Sequence, residues 1–423
     1  MIVPLLLAIA LAQDTLRAPR LMLADVYRDA QASSPRSAAA RALANASRAR
    51  VAPSALPPDP LLQFGFMNYA IPGLAPMPQI GMAQLQLMQM IPTAGKLSLA
   101  GRVASAQADA VSARADDVVW DVRAKAAMAF YDLYATDGAL DVARQTLRLL
   151  QDILRTAESM YRVGEGRQTD VLRAQVEIAR MTEDTLRMAT MRTGMAARLN
   201  ALLNRAADVP VASPALPTFP DSVDALSAFV ASAQHDRPMV KAGERDVDAA
   251  NAQTTLTRRE IWPDLTVGFQ YGQRGGAMGS TDRMGSLMIG ASVPVFANRR
   301  QLRMREEAGA MRLMAEADLA AMRADTRAGV TEAYANLMRA RHLAALYRTT
   351  IIPQAEATTA SALSAYRVGG VDFMTLLDDR MTVNRYRQDL FSLEADEGKA
   401  WAELEMLAGR EVLAATSITR RED

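Results

Sequence analysis

Hydrophobic and polar positions change period several times along this chain, and they do so in the same order twice. From Leu21 to Val51 the pattern predicts a helix pair. It is interrupted at Ser34-Pro35, because the residue before a proline is pushed out of the helical region. Asp221 to Arg259 has the same form, broken at Arg237-Pro238. The period then becomes two. Leu265, Val267, Phe269 and Tyr271 share one face of a predicted strand, and Thr266, Gly268, Gln270 and Gly272 the other. A second run sets Leu287, Ile289, Ala291, Val293 and Val295 against Ser286, Met288, Gly290 and Ser292. Weaker counterparts in the first half are Leu61 to Tyr69 and Gln84 to Ile91. After Ile91-Pro92 and Val293-Pro294 come the longest helical patterns, about Ser98 to Met160 and about Arg299 to Ala365. At ~1.5 Å per residue, each would reach ~90 Å. Each ends at a glycine-centred turn and is followed by a shorter helical pattern, to about Arg205 and about Arg410. In the last of these, Leu390, Leu393, Ala400, Leu404 and Leu407 form a coiled-coil-like seam.

The two halves are copies of one design. Tyr161-Arg162-Val163-Gly164 returns 205 residues later as Tyr366-Arg367-Val368-Gly369. Leu172, Ala197, Leu199, Leu202 and Arg205 return as Leu377, Ala402, Leu404, Leu407 and Arg410. Upstream, Phe130 and Leu133 match Tyr334 and Leu337, while Pro60, Gly65 and Phe66 match Pro263, Gly268 and Phe269. The predicted organisation is a signal peptide at 1–12, a first repeat at 13–205, a linker at 206–221, a second repeat at 222–410 and a tail at 411–423. The leader is apolar and ends in Ala10-Leu11-Ala12, a small-x-small cleavage pattern. The linker holds Pro210, Pro214, Pro217 and Pro220 and is expected to be stiff. The repeats carry β-hairpins at about 61–91 and 264–296, and turns at 161–166 and 366–371.

Composition narrows the class. Half the residues are hydrophobic and only 5% are aromatic, with Ala, Leu, Met, Arg, Glu and Gln abundant, which favours long helices. A net charge of +1 argues against a nucleic-acid footprint. The absence of cysteine excludes disulfides, thiolate metal sites and a cysteine nucleophile, and also a lipid anchor of the bacterial lipoprotein type. No apolar run of about 18 residues follows Ala12, so no spanning helix is expected. Strands of roughly 10 residues suit a tilted membrane-spanning strand instead. Four of them cannot stand alone in lipid, because the sheet edges would leave backbone groups unpaired. Several chains must therefore share one barrel.

The duplicated order of helix pair, hairpin, long helix, Tyr-Arg-Val-Gly turn and helix resembles the TolC-like outer-membrane efflux proteins. The turns, followed by Asp170-Val171-Leu172 and by Leu376-Leu377-Asp378, carry most of the resemblance. Pro58-Asp59-Pro60, and Gln89-Met90-Ile91-Pro92 before Gly95-Lys96-Leu97, look closest to the heavy-metal efflux branch. The resemblance implies a mainly α fold with a small β part. Duplicated coiled-coil hairpins would build a trimeric α-helical barrel, and two β-hairpins per chain a shared twelve-stranded transmembrane β-barrel. It implies a homotrimeric exit duct in the outer membrane with a long periplasmic extension, without enzymatic activity or cofactor. Its partners would be outer-membrane lipid, a periplasmic adaptor (membrane fusion protein) and an inner-membrane pump of the RND type; its cargo would be metal ions or small toxic compounds. Adaptor contact is carried over onto Tyr161, Arg162, Val163, Gly164, Tyr366, Arg367, Val368 and Gly369. A periplasmic constriction is carried over onto Asp378, and also Asp372, Asp379 and Asp170. Where family members can carry a further Asp four residues before Asp378, this chain has Met374 or Thr375.

Each nomination has a structural alternative. Gly164 and Gly369 also suit helix C-caps. Asp378 and Asp379 suit the positive end of a helix. Met82, Met88 and Met90 could offer thioethers to Cu(I), but methionine is far more often an adaptable filler. His235 and His342 are isolated, so no zinc site is expected. Gly-rich Arg274 to Ser280 lacks the ending of a phosphate loop and reads as a loop between strands. The alternative function is a periplasmic coiled-coil scaffold without channel activity, which explains the helices but not the strands.

Overall fold

The computed structural model describes residues 20–73, 75–78, 80–275 and 280–412. The leader expected at 1–12, the tail from 413 on and residues 276–279 of the Gly-rich stretch lie outside them. In chain order the helices and strands are α1 (Leu23–Ser33), α2 (Pro35–Ala49), α3 (Val51–Ser54), β1 (Leu61–Met67), β2 (Tyr69–Ala70), β3 (Ala75–Pro76), β4 (Met82–Ile91) and α4 (Lys96–Arg162). Then follow α5 (Gln168–Leu202), α6 (Leu226–Asp236), α7 (Pro238–Arg259), β5 (Leu265–Gly275), β6 (Thr281–Ala291), α8 (Gln301–Leu346), a π turn (Tyr347–Ile351), α9 (Ile352–Arg367) and α10 (Phe373–Ala408).

Proline sets the local breaks. Ser34 (ψ 120°) and Arg237 (ψ 122°) are driven out of the helical region by the prolines that follow them, and Pro35 and Pro238 each open the next helix. The π turn has a related cause. Pro353 has no N–H to give the preceding turn, and the N–H of Ile352 reaches back five residues to the carbonyl of Tyr347. The first repeat has no such interruption, since α4 runs unbroken for 67 residues.

Two compact units divide the chain. The first takes described residues 20–39, 116–237 and 324–412 and is helical. Its larger core gathers Phe130, Tyr131 and Leu133 of α4, Leu199 of α5, Phe229 of α6, Leu337 of α8, and Trp401 and Leu404 of α10. Burying side chains of this size stabilises by about 1.5–3 kcal/mol each. The helices approach closely where glycine allows it: a Cβ on Gly398 of α10 would stand 2.2 Å from the Tyr131 ring. One charged cluster is buried here. Arg123 lies 3.4 Å from Glu405, pairs with Glu411 and covers the Tyr27 ring at 3.7 Å. Burial, the largest influence, pushes the Tyr27 hydroxyl well above its ordinary value. A second cluster packs Leu150 and Ile153 of α4 with Met181 of α5, Tyr366 of α9, and Phe373, Leu376 and Leu377 of α10.

The second unit takes described residues 40–73, 75–78, 80–115, 238–275 and 280–323 and holds the strands. The hairpins of the two repeats merge into one antiparallel sheet of order β1-β4-β5-β6. The junction is β4 on β5, with Leu87 opposite Phe269 and Ile91 opposite Leu265. Residues β2 and β3 make a small ribbon of their own. Strand β6 differs from its predicted span. It begins at Thr281, paired with Gly275, and ends at Ala291, so Val293 and Val295 lie beyond it. The Ser292 N–H still reaches the Asp264 carbonyl at 2.9 Å, but Pro294, two residues on, has no N–H with which to extend the ladder. Arg274, expected in the loop, instead pairs across the strands with Asp282. At the base of the sheet Lys96, only 6% exposed, donates to Asp264 Oδ1 and to the Trp262 carbonyl, both at 2.8 Å. The Thr93 N–H joins the same carboxylate at 3.2 Å.

Candidate functional surfaces: the glycine turns and the sheet

The two glycine turns share the same pair of closing bonds. The N–H of Gly164 meets the Tyr161 carbonyl at 3.1 Å, and that of Glu165 meets the Met160 carbonyl at 3.0 Å. In the second repeat Gly369 bonds Tyr366 at 3.0 Å and Gly370 bonds Ala365 at 2.9 Å. These pairs define Schellman caps, with Gly164 (φ 80°) and Gly369 (φ 73°) in the left-handed region that residues with a Cβ avoid. The glycines are therefore C-caps. What the turns present differs between copies. Tyr161 (47% exposed), Val163 and Val368 face solvent, and Arg162 and Arg367 are exposed. Tyr366 is buried instead, its ring 5.7 Å from Phe373, so it is not presented on the turn surface of this chain.

The nominated acidic residues have separate surroundings. Asp372 caps α10: its Oδ1 accepts from the N–H of Thr375 at 2.9 Å and from the Thr375 hydroxyl at 2.8 Å. Those bonds, the backbone one foremost, hold its carboxyl below the usual carboxylate range. Asp170 sits half-buried in the first turn of α5. It adds to burial, the larger cause, in raising the Tyr366 hydroxyl. Asp378 is exposed on the second turn of α10, and Asp379 is half-buried beside it. Thr375, the partner that gives Asp372 its role, carried no signal in the sequence beyond its three-residue spacing from an Asp.

The sheet separates two chemistries. Opposed residues of neighbouring strands share a face. One face carries Leu62, Phe64 and Phe66 of β1, Leu85 and Leu87 of β4, Phe269 and Tyr271 of β5, and Leu287 and Ile289 of β6. All are exposed, up to 73% at Ile289. The other face carries glutamine, glycine, methionine and serine. Among the described residues β1 and β6 have no further strand partner. Lys96, which belongs to the motif nearest the heavy-metal branch, is a structural clamp for this sheet. Among the described residues no group of three or more His, Cys, Asp or Glu could hold a metal ion, and no helix is long and apolar enough to cross a membrane.

Long helical hairpins in duplicate and a sheet merged from two hairpins make up the fold of this chain. Residues 230–410 match the family model described as outer membrane efflux protein. No curated protein sequence matches the chain. Among solved structures, the chain is similar to the outer-membrane protein VceC of Vibrio cholerae, with TM-score 0.78, 15% identity, 92% of this chain and 96% of that one covered. It is similar to the open-state MtrE channel of Neisseria gonorrhoeae, with TM-score 0.77, 17% identity and coverage of 92% and 89%. It is similar to CusC, with TM-score 0.78, 14% identity and coverage of 94% and 96%. CusC does not stand apart from the other two, so the likeness does not select the heavy-metal branch.

Proposed function

We propose that three copies of this chain form an exit duct in the bacterial outer membrane, the last element of a tripartite efflux system. One observation carries the reading: a four-stranded antiparallel sheet with an exposed apolar face and two open edges. Such a face belongs against lipid, and such edges must be closed by other strands. An even number of alternating strands lets β6 of one chain meet β1 of the next in antiparallel pairing all the way round. Strands β4, β5 and β6, of 10, 11 and 11 residues, have the length of a tilted membrane crossing. The resemblance to TolC-like proteins selects three copies and twelve strands. It also supplies the periplasmic placement of the long helices, the adaptor, an RND-type pump, and a cargo of metal ions or small toxic compounds.

The test is the mass of the detergent-extracted protein together with single-channel conductance. A conducting trimer is expected; a monomer or soluble dimer without conductance overturns the duct. Within this reading the exposed turn residues Tyr161, Arg162, Val163, Arg367 and Val368 dock the adaptor around Gly164 and Gly369. Gly164→Asp and Gly369→Asp should abolish pump-conferred resistance, and resistance surviving both changes removes the docking assignment. Asp378, with Asp372, Asp379 and Asp170 near the same turns, narrows the periplasmic end. Asp378→Asn should reduce cation preference.

A further inference from the structure

The face of the sheet turned away from the apolar side chains is organised in rows. Gln63 of β1 stands opposite Gln86 of β4, Gln86 opposite Gln270 of β5, and Gln270 opposite Ser286 of β6. One row of amides ending in a hydroxyl thus crosses all four strands. The neighbouring row runs Gly65, Gln84, Gly272, Met284. Gln84 ties the two together. It accepts a hydrogen bond from the Gln270 amide nitrogen, and its side chain lies over Gly65, where a Cβ would stand 3.3 Å from Gln84 Nε2. On either side the rows turn to thioethers and glycine: Leu61, Met88, Gly268 and Met288, then Met67, Met82, Arg274 and Asp282. Among the described residues Arg274 and Asp282 are the only charges on this face, and they neutralise each other at 3.5 Å.

We propose that Gln63, Gln86, Gln270 and Ser286 line the bore of the membrane section as a closed belt of amides and hydroxyls, and that this belt makes the section indifferent to the sign of charge of its cargo. The inference rests on the duct reading. In a barrel whose apolar face meets lipid, the alternate residues face the lumen. An amide offers both donors and an acceptor, so it can replace part of the hydration of an anion, a cation or a neutral polar solute. A ring of like charges would instead concentrate counterions and exclude the opposite sign. The cargo class that fits is therefore polar or amphiphilic solutes of either charge. Any discrimination between ions must come from residues elsewhere in the chain.

The experiment introduces one charge per chain into the belt. Gln270→Glu and Gln270→Lys, with Ser286→Glu and Ser286→Lys from a different strand of the same row, are placed in planar bilayers under a KCl gradient beside the wild-type protein. The K+/Cl− permeability ratio should rise severalfold in the Glu variants and fall severalfold in the Lys variants, with channels still forming. Conducting variants at both positions that keep the wild-type ratio overturn the belt and leave the duct standing. Loss of channels in all four variants also overturns it, because a wetted wall accepts a charge. A wild-type protein that never conducts removes the duct reading, and the belt with it.

Discussion

One methyl group at Gly398 tests how tightly α4 and α10 are packed. Two effects oppose each other. Alanine is favoured over glycine in a helix interior by about 1 kcal/mol. Against this, the new Cβ would lie 2.2 Å from Cε1 and 2.3 Å from Cζ of Tyr131, where ordinary carbon contacts are ~3.5–4.0 Å. The ring must retreat by more than ~1 Å. Tyr131 has no exposed surface, and Phe130 (5.3 Å) and Phe219 (6.4 Å) stand beside its ring. Overpacking a closed core costs ~1–3 kcal/mol, and a fully enclosed ring puts this site at the upper end. The net effect of Gly398→Ala is then a loss of about 2 kcal/mol. Gly138 is the control. Its Cβ would come as near, 2.3 Å, to the Phe391 ring, but that ring is only half-buried and can rotate toward solvent. Gly138→Ala should therefore stay within about 0.5 kcal/mol of wild type, since the helix gain offsets a small displacement. Urea unfolding followed by far-ultraviolet circular dichroism compares the midpoints. The same pair made in a Tyr131→Ala background should erase the Gly398 penalty. A Gly398→Ala protein as stable as wild type, or less affected than Gly138→Ala, refutes the reasoning.

Further outcomes follow from other sites. Burial raises the Glu397 carboxyl despite nearby Arg341 and Arg348, so its ionised form destabilises the fold as pH rises above the unfolded value of about 4.3. Glu397→Gln should raise the unfolding midpoint at pH 7, with the gain vanishing below about pH 4. The lowered Asp372 carboxyl has the opposite sign: the extra stability that its charge gives the cap on α10 is present above about pH 4 and is lost as pH falls further. Asp372→Ala should speed amide exchange at Thr375 at neutral pH, and Asp372→Asn should largely retain protection. Gly164→Ala and Gly369→Ala should cost about 1–2 kcal/mol each and equally, because neither new Cβ meets an atom within 4 Å and only the backbone angle resists. In the proposed duct, Ile289→Lys places a charge on the side assigned to lipid, at a cost of about 2–4 kcal/mol near mid-membrane, and should block insertion, whereas Ser286→Lys should insert.

The periods of the sequence carried most of the fold. Proline marked the helix breaks, and alternation marked the start of β5 at Leu265 but stopped short of its end at Gly275. The repeat offset held more than it first showed. It is 204 between Phe130 and Tyr334 but 205 between Tyr161 and Tyr366, so one residue is gained in between. The π turn Tyr347–Ile351 lies in that interval and takes up the extra residue. Other features left no local trace. The pairing of β4 with β5 joins residues from different repeats, and alternation cannot state which edges meet. Tyr161 and Tyr366 read identically, yet one is exposed and the other buried, because burial depends on the facing helix and not on the turn. That Asp372 caps α10 through the Thr375 N–H and hydroxyl was not legible from the acidic residue alone. The row of Gln63, Gln86, Gln270 and Ser286 was visible only as scattered polar residues until the register aligned them.

The open edges of the sheet belong to different repeats, β1 to the first and β6 to the second. In the proposed trimer each seam is thus head-to-tail, and no chain can complete a ring with its own surfaces. This has a genetic consequence. A chain whose β6 edge is blocked by proline but whose β1 edge is intact would still be recruited, and would leave a gap in every ring it enters. Expressed equally with the wild-type chain and mixed at random, it would leave only about one ring in eight free of defects. In the proposed duct such an allele would be dominant, and the loss of conductance it caused would exceed that of losing half the gene dose.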